Sequence, residues 1–61
     1  MNFKINSSYI IVLNVLGKTL TYTCQIVSED ELFIKFIDKF GNEYSYNKSC
    51  IISFEEKKDG Y

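Results

Sequence analysis

The chain has 61 residues and a net charge of −1, and it contains no histidine, arginine, proline, tryptophan or alanine. This length holds one domain, residues 1–61. Without histidine the chain lacks the usual general base and the commonest metal ligand. Without arginine it lacks the planar guanidinium group that binds phosphate through two hydrogen bonds. The charge excludes a strongly basic coat for nucleic acid, and the apolar runs fall short of the ~20 residues that span a bilayer. We therefore expect a cytoplasmic protein with no enzyme activity, cofactor, metal, small-molecule substrate or membrane contact.

The first half of the chain predicts two strands joined by a tight turn. Residues 1–8 carry only a weak strand signal, at Phe3 and Ile5. Residues 9–16 are apolar on both strand faces and predict the first confident strand. Gly17-Lys18 matches a two-residue hairpin loop with glycine first, which is typical of a type II′ turn. Residues 19–27 alternate between apolar side chains and threonines, as expected for a half-buried second strand.

The second half repeats this pattern of strands and short loops. Residues 32–37 are apolar on both faces except for Lys35, and they predict the third strand. The remaining predicted elements are a loop at 38–42, a fourth strand at 43–46, a 3₁₀ turn at 47–49, a fifth strand at 50–54 and a flexible charged tail at 55–61. Cys24 and Cys50 are expected to be reduced thiols. These elements predict an all-β fold, a small, partly open barrel of five antiparallel strands.

The order of turns and strands resembles a known class of small barrels. A glycine turn, apolar strand positions and an aspartate follow one another at Gly17, Leu20, Ile26, Asp30 and Phe33-Ile34. This order, with a 3₁₀ turn before the last strand, resembles the SH3-like barrels, including the Sm-like RNA-binding proteins, over roughly residues 9–54. Residues 24–30 and 46–51 are similar to stretches of the bacterial Sm-like RNA chaperones. The resemblance implies an oligomer with RNA contacts near Tyr46 and Lys48. The histidine of the family's uridine site has no counterpart here.

The two strands that are apolar on both faces indicate a binding surface. A chain of this size builds one small core, which covers one side of each strand. On the third strand, the set of Phe33 and Ile37 and the set of Leu32, Ile34 and Phe36 compete for that core. The outward set forms an apolar patch of the kind that marks interfaces, unless loops or tails cover it. The candidate partner-binding residues are Phe33, Lys35, Ile37, Phe40, Tyr44 and Tyr46.

Three functions are compatible with these residues. The first is a barrel that binds a protein partner as an adaptor or an inhibitor. The amino-acid composition is typical of proteins encoded by AT-rich genomes, which suggests a phage or mobile-element product such as an anti-defence protein. The second is an Sm-like ring that binds RNA through Tyr46 and Lys48, and that buries the second apolar faces between subunits. The third is a structural subunit of a larger assembly. Tyr22 is expected to fill the core, and Lys35 is expected to protect a sheet edge from aggregation.

Overall fold

The computed structural model describes residues 2–57. Its elements are β1 (Ser8–Val15), β2 (Lys18–Glu29), β3 (Phe33–Asp38), β4 (Glu43–Asn47), a 3₁₀ turn (Lys48–Cys50) and β5 (Ile51–Lys57). All five strands belong to one antiparallel sheet with the order β4-β3-β2-β1-β5. The all-β prediction is confirmed. In the described part of the chain, helical structure is limited to the 3₁₀ turn, and no helix has the length and apolar character needed to cross a membrane.

The long strand β2 belongs to both halves of the sheet. Its residues 18–25 pair with β1, while residues 24–29 pair with β3. A bulge at Val27 separates the paired residues Ile26 and Ser28, and bulges of this kind bend a strand and increase its twist. The sheet is open, because its ladders end at β4 on one side and at β5 on the other. The closed form of a barrel is therefore not seen among residues 2–57.

Alternating side chains of the three central strands form the core. Ile11 and Leu13 of β1 point to the same side as Ile26 of β2, and all three are fully buried. Ile34 and Phe36 of β3 complete this cluster and are also fully buried. Because strand side chains alternate, each of these strands has a second face turned away from the core.

The N-terminal segment closes one end of the core. The Lys4 carbonyl accepts a hydrogen bond from the Ser7 amide at 3.2 Å, and Asn6 within this turn has a φ of 70°. The reversal carries the Phe3 ring back over the sheet, where it packs on Tyr9 and Phe54 with centroid distances of 5.1 and 4.6 Å. The weak strand signal at Phe3 and Ile5 was wrong, because Phe3 is buried by a turn and not by a ladder.

Most element boundaries differ from the sequence-based expectation by one or two residues, and the β1–β2 turn and the end of β5 differ more. Leu16 and Gly17 are the central residues of the β1–β2 turn, with φ values of 53° and 83°. Two positive φ values are typical of type I′, so the predicted type II′ turn at Gly17-Lys18 was wrong. Residues 55–57 extend β5 along β1, because the ladder continues as far as the pair Ser8–Lys57. The prediction of a flexible tail was therefore wrong for residues 55–57, and residues 58–61 lie outside the described part.

Candidate interaction surfaces

Strand β3 separates buried from exposed apolar side chains. Ile34 and Phe36 face the core, so Phe33, Lys35 and Ile37 face outward. Phe33 is 46% exposed and Ile37 is half-buried. Leu32, expected on the side of Ile34 and Phe36, lies before the strand and is exposed. The outward set is therefore the one that contains Phe33 and Ile37.

A groove lies beside the outward face of β3. In the ladders on either side, Lys35 is paired with Ser28 of β2 and with Ser45 of β4. The groove is open, has a volume of about 210 Å³ and is lined by Ser28, Glu29, Asp30, Phe33, Lys35 and Ser45. It contains one aromatic ring together with hydroxyl and charged groups. The sequence analysis selected neither Ser28 nor Ser45 as a site residue. Only the unpredicted bulge at Val27 brings Ser28 opposite Lys35.

Lys35 lies in the middle of the sheet. Strand β3 pairs with β2 on one side and with β4 on the other, so the expectation that Lys35 protects a sheet edge was wrong. Its ammonium group lies 3.9 Å from a Glu43 carboxylate oxygen across the β3–β4 ladder. Both side chains are well exposed, so this pair contributes little to stability. It does place a positive charge at the edge of the groove.

Glu29 joins three segments at the inner side of the bulged end of β2. One carboxylate oxygen accepts a 2.7 Å hydrogen bond from the Phe3 amide, and the other lies 2.5 Å from the Lys48 ammonium. Burial opposes ionisation, but these two contacts outweigh it and lower the pKa of Glu29. The Lys48 side chain is only 15% exposed. This predicted RNA-contact residue is therefore engaged in an ion pair that ties the 3₁₀ turn to β2.

The predicted tyrosines lie on the opposite face from Phe33. Tyr44 and Tyr46 of β4 are half-buried and pack with Tyr22 and Phe36, with the Tyr22 and Tyr44 ring centroids 4.8 Å apart. The Tyr22 and Tyr46 hydroxyls are 2.9 Å apart, and this hydrogen bond together with burial raises the pKa of Tyr22. Tyr22 packs against the core as expected. Five of the six predicted partner-binding residues thus divide between the two faces of the sheet, and the sixth, Phe40, lies in the β3–β4 loop.

The β3–β4 loop presents Phe40 to solvent. Its ring is 77% exposed, and the Lys39 ammonium lies 5.4 Å from the ring centroid. Asp38 fixes this loop, since its Oδ1 accepts hydrogen bonds from the Phe40 and Asn42 amides, both at 2.9 Å. These bonds outweigh partial burial and lower the pKa of Asp38. Phe40 is therefore an exposed ring on an ordered loop, at the Ile37 end of β3.

The tip of the β1–β2 hairpin carries an apolar residue that the sequence analysis did not select. Leu16 is 100% exposed and has a left-handed backbone. The Asn14 side chain supports the turn by accepting a 3.2 Å hydrogen bond from the Gly17 amide. A leucine before glycine, where type I′ turns favour asparagine or aspartate, is the sequence signal that could have identified this residue.

The two cysteines are both free and differ in environment. Cys24 is fully buried in the core, where burial and then the charge of Asp38 raise the pKa of its thiol to about 12. Cys50, at the end of the 3₁₀ turn, is half-buried. No group of three histidine, cysteine or carboxylate side chains within residues 2–57 converges to hold a metal ion. Cys24 therefore contributes to packing as a small apolar residue.

A comparison of the chain with protein-family models, curated proteins and solved structures found no match in any of the three.

Proposed function

We propose that the chain is a non-enzymatic small barrel of the SH3-like or Sm-like kind, which binds a protein partner through the outward face of β3. Three features support the barrel. The strand order places β4 and β5 at the two ends of the sheet, the bulge at Val27 bends the shared strand β2, and a 3₁₀ turn precedes β5. Together they fit a sheet that curves around a single core, as in small barrels.

The exposure of Phe33 carries the functional proposal. Phe33 lies within a strand, where its backbone is fixed by the ladder with β4, yet its ring is 46% exposed. Phe36 on the same strand is fully buried. An ordered aromatic ring beside a groove offers contact area at low conformational cost, and such rings dominate protein interfaces.

The polar groups of the groove determine the kind of partner. The hydroxyls of Ser28 and Ser45 and the charges of Asp30 and Lys35 surround the ring. An apolar side chain of the partner packs on Phe33, while these polar groups fix its orientation. The same surface serves an adaptor or an inhibitor, including an anti-defence protein of a phage or mobile element.

The test compares two strand positions that both face outward. Phe33→Glu removes the ring from the proposed surface, while Thr21→Glu adds the same charge at an exposed position of β2. Proteins recovered from host lysate on each immobilised variant are quantified against wild type, with folding verified by thermal denaturation. We expect Phe33→Glu to reduce recovery of a specific partner at least tenfold, and Thr21→Glu to leave it unchanged. Equal recovery on all three proteins would refute the proposal.

An Sm-like RNA-binding ring is the second candidate, and the free edges of the sheet favour it. Strands β4 and β5 each lack a neighbour on one side within residues 2–57, so the β4 edge of one copy is able to pair with the β5 edge of another. This candidate predicts a ring that retains RNA at low salt and releases it as salt rises. Light scattering with absorbance detection measures both properties, and a monomer free of RNA at low salt would exclude it.

A further inference from the structure

The β1–β2 hairpin ends in an ordered apolar tip. Leu16 is fully exposed, and its φ of 53° lies in a region that leucine rarely adopts. The hydrogen bond between the Asn14 side chain and the Gly17 amide holds this conformation. A strained backbone that presents an apolar side chain to water combines two unfavourable features. Such strain is concentrated at positions that engage ligands or partners.

The charge of the tip is positive. Lys18 is the only charged residue between positions 12 and 23 of the sequence. Its ammonium forms no ion pair with a carboxylate of residues 2–57. The tip thus combines one leucine with one nearby cation, and it suits a surface that presents an exposed ring next to a carboxylate.

The groove beside β3 offers both groups, because Phe33 and Asp30 are among its lining residues. The groove has a volume of about 210 Å³ and is lined in part by Phe33. A cavity of roughly 150 Å³ holds a benzene ring, so the groove has room for a leucine side chain. Asp30 lies at its rim, where its Oδ1 accepts hydrogen bonds from the Leu32 and Phe33 amides at 2.9 and 2.8 Å. These bonds hold the pKa of Asp30 below its usual range. Asp30 is a negatively charged group of the groove, which also contains the positive charge of Lys35. Two carboxylate–lysine pairs near the groove are formed within the chain itself, Glu29 with Lys48 and Lys35 with Glu43.

The tip and the groove lie at opposite ends of β2. The tip comes directly before Lys18, the first residue of that strand, and the groove begins at Ser28, near its last residue. A molecule therefore cannot place its tip in its own groove. We propose that the groove receives the hairpin tip of a second copy of this chain, with Leu16 against Phe33 and Lys18 near Asp30. This inference rests on the proposed function, because it assigns an occupant to the same surface.

The geometry of this contact determines the kind of assembly. Two different surfaces meet, so each copy that joins still offers one free tip and one free groove. Such head-to-tail contacts produce rings or open chains and do not stop at a dimer. A hairpin tip buries little area compared with a standard interface, so the association is expected to be weak and strongly dependent on concentration.

Sedimentation velocity on the full chain tests the inference, with variants that each remove one half of the contact. Leu16→Asn removes the leucine, and asparagine readily adopts the backbone conformation of this turn. Phe33→Lys removes the ring and places a positive charge where it would repel Lys18. The weight-average mass of wild type is expected to rise steadily with protein concentration across the micromolar to millimolar range, because the contact is small. Each variant alone is expected to need at least tenfold higher concentration for the same rise. Leu16→Ala serves as a second tip variant, and circular dichroism verifies that every variant is folded.

Mixing the two variants gives the decisive result. Leu16→Asn retains its groove and Phe33→Lys retains its tip, so an equimolar mixture is expected to form dimers and nothing larger. Wild type that stays monomeric, or variants that associate as wild type does, would overturn the inference. If wild type is monomeric but Phe33→Glu still loses a lysate partner, the inference fails while the proposed function stands. A third outcome is self-association that depends on Leu16 and Phe33, with no lysate protein whose recovery depends on Phe33. In that case the inference stands, and a second copy of the chain is the partner of this surface.

Discussion

Both faces of β3 carry two large apolar residues, but these pairs have different surroundings. On the inner face, Ile34 and Phe36 are fully buried by β1, β2 and the tyrosines of β4. On the outer face, Phe33 borders an open groove. A strand that is apolar on both faces normally lies between two layers, yet the described chain supplies a layer on one side only. The difference leaves Phe33 of the outer face 46% exposed, whereas Phe36 of the inner face is fully buried.

The largest expected effect distinguishes the two phenylalanines of β3. Phe36→Ala removes a fully buried ring from the core and should lower the free energy of unfolding by about 3–5 kcal/mol. A domain of this size has little stability to lose, so the variant should be largely unfolded at 25 °C. Phe33→Ala removes a ring that is half exposed, and we expect a loss of about 1 kcal/mol or less. Urea denaturation followed by circular dichroism measures the free energy of unfolding of both variants. Similar losses would show that the outer face is covered within the monomer.

A second prediction concerns the one carboxylate on the inner side of the bulge. Glu29→Gln loses the charge that binds the Phe3 amide and the Lys48 ammonium, and should lower the free energy of unfolding by about 2 kcal/mol. The neighbouring Glu31 is exposed, so Glu31→Gln should change stability by no more than about 0.5 kcal/mol. Denaturant titration at neutral pH measures both variants. Equal stability of Glu29→Gln and wild type would contradict a structural role for the ion pair.

The same contact determines part of the pH dependence. Because the folded state lowers the pKa of Glu29, it binds fewer protons than the unfolded chain in mildly acidic solution. The contribution of Glu29 is complete above about pH 5 and is lost as the pH falls through the lowered value. Wild type should therefore lose more stability than Glu29→Gln between about pH 5 and pH 2. Asp30 and Asp38 have lowered pKa values as well, so the variant should keep part of the acid dependence.

The strands were predictable because their signals are local, whereas the surfaces depend on contacts between strands. The alternation in β2 and the apolar residues of β1 and β3 give each strand directly from the sequence. Which side of β3 is buried depends on register, and the bulge at Val27 shifts that register by one residue. The ion pair of Glu29 with Lys48 joins positions 19 residues apart, so no local pattern indicates it. The tyrosine pair appeared as a surface candidate because amphipathic rings suit either location.

The smallest effect tests whether the hairpin tip is optimised for folding. Asparagine adopts a left-handed backbone more readily than leucine, so Leu16→Asn should raise the free energy of unfolding by roughly 0.5–1 kcal/mol. Leu16→Ala keeps an unfavourable backbone and should change stability by less than about 0.5 kcal/mol. Urea midpoints at low protein concentration, where any self-association is weakest, separate the two variants. A gain for asparagine alone would show that Leu16 costs the isolated fold stability, as expected of a side chain selected for contact. A loss for Leu16→Asn would mean that the leucine stabilises the hairpin, and it would remove the strain argument for the tip.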